Sequence, residues 1–211
     1  MRTVVVSTIV SLDGFVAGPG GDISRLPMDG SFDALNLERL RAAGTLLLGA
    51  TTYRGMVAYW PAVAEDPTVS PAVQLDPSVA ELHRETARRN AELPKVVVSD
   101  SLTPADTGPW AETTTIGRRA GAHAAVAALR EEAGGDVLVF GSRTLWGDLL
   151  PAGLVDELFL LVGPALLGAG LRAFPDGVPA HLRLRDTARR PGSDNVLLSY
   201  AVGTADAEPS S

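Results

Sequence analysis

Residues 136–162, DVLVFGSRTLWGDLLPAGLVDELFLLV, decide the fold. The apolar run Asp136–Phe140 predicts a buried strand, which opens through Gly141-Ser142-Arg143 into a helix reaching about Leu150. Val155–Val162 predicts another strand. Strand, helix and strand in immediate succession predict a parallel sheet with the helix packed against it.

Outward from this segment the alternation recurs. Thr3–Val10 is nearly continuous in apolar residues, as in a strand buried on both faces, and SLDGFVAGPGGDI follows as a glycine-rich turn and loop. Ser31 is placed to cap a helix to about Ala43, with Phe32, Leu35, Leu37 and Leu40 on its buried face and Gly44 ending it. Thr45–Gly49 is the next strand, passing through Ala50-Thr51-Thr52-Tyr53 into a short helix before Trp60-Pro61. Ala62–Pro77, with Pro67, Pro71 and Pro77 and no periodicity, predicts a surface excursion. Ser78–Ala91 is a polar helix, Lys95–Ser99 and Thr113–Gly117 are strands, and Ala122–Ala133 is a helix ended by Gly134-Gly135. Asn195–Val202, with an edge strand near His181–Arg185, has no intervening helix and predicts antiparallel pairing. The expected fold is α/β, a mostly parallel central sheet with helices on both faces and antiparallel C-terminal strands. We expect one domain over residues 1–203 and a frayed, small, acidic tail over 204–211.

The bulk chemistry narrows the function. Of 211 residues 45% are hydrophobic and 20% charged, which suits a globular core. A formal charge of −7 argues against general nucleic-acid binding, which needs a basic face to displace counterions. The absence of cysteine removes disulfides, thiolate metal sites and a cysteine nucleophile, and it fits a reducing compartment such as the cytoplasm. His83, His123 and His181 have no metal-ligand spacing and are expected at the surface or at helix ends. No apolar stretch reaches the roughly 18–20 residues of a membrane span, and the N-terminus lacks a signal-peptide pattern.

In an open α/β sheet ligands bind beyond the carboxyl ends of the strands. Three such ends carry small or hydroxyl-bearing residues: Gly49-Ala50-Thr51-Thr52, Ser99-Asp100-Ser101 and Gly141-Ser142-Arg143-Thr144. Two of them open a helix, whose N-terminal N–H groups favour anions, so together they suit an extended dinucleotide. Each alone also reads as an ordinary turn. No GxGxxG follows the first strand, and no GxSxG, GxxxxGK[ST] or HExxH occurs. Asp13 and Asp33 are the acidic candidates, although Asp13 also suits a turn cap and Asp33 the first turn of a helix. Tyr53 and Trp60 suit either a pocket for a flat ring or the core.

Taken as a set, SLDGFVAG, LLLGATTYRGMVAYWP, LPKVVVSDSL and the passage from DVLVFGSRTLWGDLL to LVGPALLGAGLRAFP resemble the dihydrofolate-reductase-like superfamily. The likeness is strongest to the reductase domain of the riboflavin-biosynthesis deaminase/reductase and covers about residues 3–175. It implies an NADPH-dependent reduction of a small heterocycle, such as a pyrimidine riboflavin precursor, and a homodimer. It places Val16, Ala17 and Gly18 over the nicotinamide. Gly49, Thr51 and Thr52 fall against the pyrophosphate and adenosine side, and Ser99 near the ribose 2′-phosphate. Gly141, Ser142, Arg143, Thr144 and Leu145 fall around the pyrophosphate, with a cis peptide expected between Gly141 and Ser142. Asp33, sixteen residues before Gly49, matches a substrate-binding carboxylate, with Phe32, Tyr53 and Trp60 toward the substrate.

Ala50 and Ser142 depart from the family pattern, which often has a basic residue and a glycine there. Asp100 opposes a 2′-phosphate unless Arg118, Arg119 or Arg143 supplies positive charge, which leaves NADH open. A catalytically silent nucleotide-binding module and a folate or pterin reductase are the alternatives.

Overall fold

Val4–Ser11 (β1) is buried at every position, because helices cover both of its faces. The computed structural model describes residues 1–174 and 180–203; the expected tail, 204–211, lies outside them. After β1 come Phe15–Ala17 (β2), Gly30–Ala42 (α1), Ala43–Gly49 (β3), Ala50–Glu65 (α2), Pro71–Leu75 (α3), Ala80–Glu92 (α4) and Lys95–Val98 (β4). The chain continues through Thr114–Gly117 (β5), Ala122–Glu131 (α5), Asp136–Phe140 (β6), Arg143–Leu149 (α6), Glu157–Gly163 (β7), Leu171–Arg172 (β8), His181–Ala188 (β9) and Val196–Gly203 (β10). Eight strands form one sheet in the order β5-β4-β3-β6-β1-β7-β10-β9, parallel from β5 to β7 and antiparallel at β10 and β9. This is the expected dihydrofolate-reductase-like α/β architecture.

Alternation along each strand splits the core in two. Val4, Val6, Leu47, Val137 and Val139 pack with α5 and α6 on one face, around the fully buried Trp146. Val5, Leu46, Leu48, Val97 and Leu138 pack on the other with Leu40, Tyr53 and Trp110. Lys95 is also buried here. Its ammonium donates to Ala91 O, Leu93 O and Thr113 Oγ1 at 3.1, 2.7 and 2.9 Å, so it closes the C-terminus of α4.

Several local expectations are corrected. The cap of α1 is Asp29, not Ser31; its carboxylate accepts from the N–H groups of Ser31 and Phe32 at 2.9 and 3.2 Å. The helix after Gly49 does not stop at Trp60 but runs through Pro61 to Glu65. The excursion expected over Ala62–Pro77 is a series of short helical turns, each begun by a proline at its first position after Asp66, Ser70 or Asp76. A two-stranded ribbon of β2 and β8, absent from the expected elements, stands apart from the main sheet. Among the described residues no helix is long and apolar enough to cross a membrane.

Candidate functional site

The parallel strands end on one edge of the sheet, and β3 and β6 are neighbours, so the loops after them meet. Gly49 N–H donates to Ser142 Oγ at 2.9 Å, and Ser142 N–H donates to Thr52 Oγ1 at 3.0 Å. Gly141 and Ser142 both have φ of 48°, and Ser142 is the one described non-glycine residue with positive φ. A left-handed backbone costs a residue with a Cβ roughly 1–2 kcal/mol, which the two bonds to the β3 loop offset. The expected cis peptide is not found, since no described peptide bond is cis. Two successive left-handed residues turn the chain instead.

This turn directs the starts of α2 and α6 toward one place. The N–H groups of Ala50, Thr51, Arg143 and Thr144 lie in first helical turns and have no intrahelical acceptor. Leu145 does not share that role. Its side chain is buried in the core and its N–H donates to Ser142 O at 2.8 Å. Space at the turn is restricted: a Cβ on Gly141 would lie 3.3 Å from Thr52 Oγ1.

At the ends of β4 and β5, Ser99 is buried and its Oγ accepts from the N–H groups of Ser101 and Leu102 at 3.1 and 2.9 Å. It shapes the turn. Arg118 Nη1 donates to Asp100 O at 2.7 Å, and Arg119 N–H donates to Asp100 Oδ1 at 3.1 Å. The Arg119 guanidinium stands 3.9 Å from Asp100 Oδ2, and Arg54 Nη2 lies 3.5 Å from Ser101 Oγ. Three guanidinium groups thus converge here, and that of Arg119 answers the Asp100 charge.

Val16, Ala17 and Gly18 lie on and just after β2, which pairs with β8, while Arg143 Nε donates to Arg172 O at 2.8 Å. The β2 segment is therefore tied to α6. A Cβ on Gly170 would collide with Ala17 O, a close approach that only glycine permits. Asp13 fixes the neighbouring turn. Its carboxylate accepts from Ser11 Oγ at 2.6 Å and from the N–H groups of Leu167 and Gly168 at 3.1 and 2.7 Å. The Ser11 hydroxyl and then the Gly168 N–H hold its pKa down, at about 2. Such a carboxylate has no proton to give near neutrality.

The remaining candidates separate. Tyr53 is fully buried, its hydroxyl 3.3 Å from Thr107 O and 3.0 Å from Thr114 Oγ1, and its ring edge-on to Trp110. Burial raises its pKa. It belongs to the core, not to a pocket wall. Phe32 is half-buried beside Ile9, Leu26 and Leu35. Asp33 Oδ2 lies 3.2 Å from His83 Nε2, and the His83 ring lies 6.1 Å from that of Trp60. His83 was expected at a surface or helix end, yet it is buried at 3% exposure with Nδ1 at 3.2 Å from Ser70 Oγ. Asp33, His83, Ser70 and Trp60 therefore form one group, in which only Asp33 and Trp60 were marked by the sequence. Nothing in the spacing of His83 and Ser70 links them to Asp33, because their contact depends on how α1, α2 and α4 pack.

Comparison with known proteins agrees with this architecture. Among solved structures, a pyrimidine reductase-like protein from Corynebacterium diphtheriae superposes with a TM-score of 0.58 at 16% identity, covering 95% of this chain and 92% of its own. A diaminohydroxyphosphoribosylaminopyrimidine deaminase/5-amino-6-(5-phosphoribosylamino)uracil reductase from Thermotoga maritima gives 0.57 at 16% identity. There the match covers 95% of this chain and 56% of the Thermotoga protein. Dihydrofolate reductase from Enterococcus faecalis, solved with NADP(H) and an inhibitor named RAB-propyl, gives 0.55 at 14% identity, covering 95% and 96%. At these identities the likeness is one of fold. No curated protein sequence matches. Residues 2–198 match the RibD C-terminal domain, and the chain belongs to that family.

Proposed function

We propose that the protein is an NADPH-dependent reductase acting on a small heterocycle, in the first instance a pyrimidine of the riboflavin-precursor class. The observation that carries this reading is the interlock of Gly49 and Thr52 with Gly141-Ser142, which sets two helix starts side by side at the sheet edge. Backbone N–H groups so arranged suit a pyrophosphate. When bound, the dinucleotide supplies the hydride.

The protein's own residues bind and position. Ala50, Thr51, Arg143 and Thr144 present N–H groups to the phosphates. Val16, Ala17 and Gly18, held by β8, cover the nicotinamide end and exclude water. Arg118 and Arg119, with Arg54, supply the charge that favours a 2′-phosphate over a free ribose hydroxyl. Asp33, through the oxygen not engaged by His83, faces the heterocycle, with Phe32 beside it. Ser142 is an integral part of the interlock, which weakens the case for a catalytically silent module. We also infer that the protein acts as a homodimer.

The test is NADPH consumption against a panel of pyrimidine and pterin substrates, with 5-amino-6-(5-phosphoribosylamino)uracil first. Turnover of a pyrimidine supports the reading, and turnover of pterins alone redirects it to a folate-type reductase. NADPH binding with no turnover of either class favours the silent module.

A further inference from the structure

We propose that His83 is a positioning residue for Asp33, with Ser70 fixing the form of its ring; this rests on the reading of Asp33 as the substrate carboxylate. His83 is in the first turns of α4 and Asp33 in the first turn of α1. Both helices lead directly into the amino ends of parallel strands, β3 at Ala43 and β4 at Lys95, so both helix starts lie toward the carboxyl edge. That is the edge where the Gly49 and Gly141 turns meet.

The hydrogen bonds assign the direction. The Ser70 side chain is completely buried, and its one described side-chain contact is His83 Nδ1 at 3.2 Å. A carboxylate only accepts, so Nε2 carries a proton toward Asp33, while Ser70 Oγ is the partner of Nδ1. Nε2–H then donates to Asp33 Oδ2 at 3.2 Å. Asp33 Oδ1 has no hydrogen-bond partner among the described residues, and the Asp33 side chain keeps 16% of its exposure. The imidazole therefore holds one oxygen of the carboxylate and leaves the other without a partner among the described residues. Trp60, beside His83, closes the side of the ring.

Two plainer roles fit less well. Capping of α1 does not need Asp33, because Asp29 already serves its first N–H groups. A hydrolytic Ser–His–Asp site is excluded by burial, since no substrate reaches a hydroxyl with 0% exposure.

The test uses His83→Leu, His83→Gln and Ser70→Ala in the full chain, with NADPH and 5-amino-6-(5-phosphoribosylamino)uracil. A misplaced carboxylate costs catalysis about ten- to a hundred-fold, so His83→Leu should lose that much in kcat/KM, mostly through KM for the pyrimidine. Its Kd for NADPH should stay within about twofold of wild type, because no cofactor contact changes. His83→Gln keeps an N–H donor toward Asp33 and should recover to within about threefold, with Ser70→Ala reduced by a similar factor. Equal kinetics for His83→Leu and wild type, or for His83→Leu and His83→Gln, would overturn the proposal. Should His83→Leu not fold, Ser70→Ala at the wild-type value overturns it alone. If wild type turns over no pyrimidine, the proposed function fails and this inference falls with it. That outcome differs from an active wild type with indifferent variants.

Discussion

Ser142 and Gly49 hold each other in place: the serine Oγ accepts the glycine N–H at 2.9 Å, although the serine backbone is left-handed. Stability should reveal the two effects separately. Ser142→Ala keeps the backbone cost and leaves a half-buried N–H without its acceptor, a loss of about 1–3 kcal/mol. Ser142→Gly loses the same bond but relieves the left-handed conformation, so it should cost about 1 kcal/mol less than alanine. Urea unfolding of the two variants checks the order. A glycine variant less stable than alanine would show that Ser142 bears no backbone cost. Both changes, and Thr52→Val, should weaken NADPH binding through the loosened turn.

In the proposed reading, cofactor choice depends on the arginines beside Asp100. Arg118→Ala or Arg119→Ala would remove the proposed charge-assisted contact to a 2′-phosphate, and each should weaken NADPH about tenfold while leaving NADH nearly unchanged. Asp100→Ser frees the Arg119 guanidinium and should widen the preference for NADPH. The preference should also shrink as salt rises, because these groups are exposed. Titration of both cofactors at two ionic strengths is the measurement. An NADPH to NADH ratio unmoved by all three variants would place the adenosine end elsewhere.

The core strands β1, β3, β4, β6 and β7 were legible because each is a short, largely apolar run, and the succession at 136–162 alone implies a parallel arrangement; the β2–β8 ribbon carries no such run. Pro61 misled the reading of α2, since proline usually ends a helix, but here the helix tolerates the missing N–H and continues to Glu65. Asp29 was passed over as the cap in favour of Ser31, although both residue types cap well and Ser31 instead hydrogen-bonds to Asp29. At the site, the glycine and hydroxyl turns were visible as residue types. Their pairing was not, because the contact of Ser142 with Gly49 and Thr52 depends on β6 lying next to β3. His83 and Tyr53 carry no local pattern that separates core from pocket, so only packing assigns them.

Asp13 gives the pH prediction. Its folded pKa of about 2 lies below the ordinary value of 3.8, so the carboxylate clasp on Leu167 and Gly168 stabilises the fold fully above the unfolded value. The contribution is lost as pH falls from about 4 through about 2. Asp13→Asn should therefore be less stable than wild type at neutral pH, and the difference should shrink in that acid window. If Asp13 were instead the proton donor, Asp13→Asn would abolish turnover. As a clasp it should leave substantial kcat while increasing proteolysis or hydrogen exchange at residues 163–170.

The last prediction concerns assembly. On the face where α5 and α6 cover β6 and β1, the described structure places no helix beyond β7. Val162, Leu182, Leu198, Tyr200 and Val202 are only partly buried there, and Leu184 is 53% exposed. β7 itself is an interior strand whose Leu158 and Leu160 already pack against the core, so the exposed apolar face lies outward of it, on β10 and β9. A contiguous apolar face at the antiparallel end of a sheet suits a second copy packed face to face. We predict a homodimer burying more than roughly 1,000 Å² in total, the scale of a specific interface. Leu184→Arg with Tyr200→Asp should give a monomer by light scattering, with a melting temperature that no longer depends on protein concentration. A wild-type monomer at micromolar concentration would leave this face without the partner it is built for, and the prediction would be wrong.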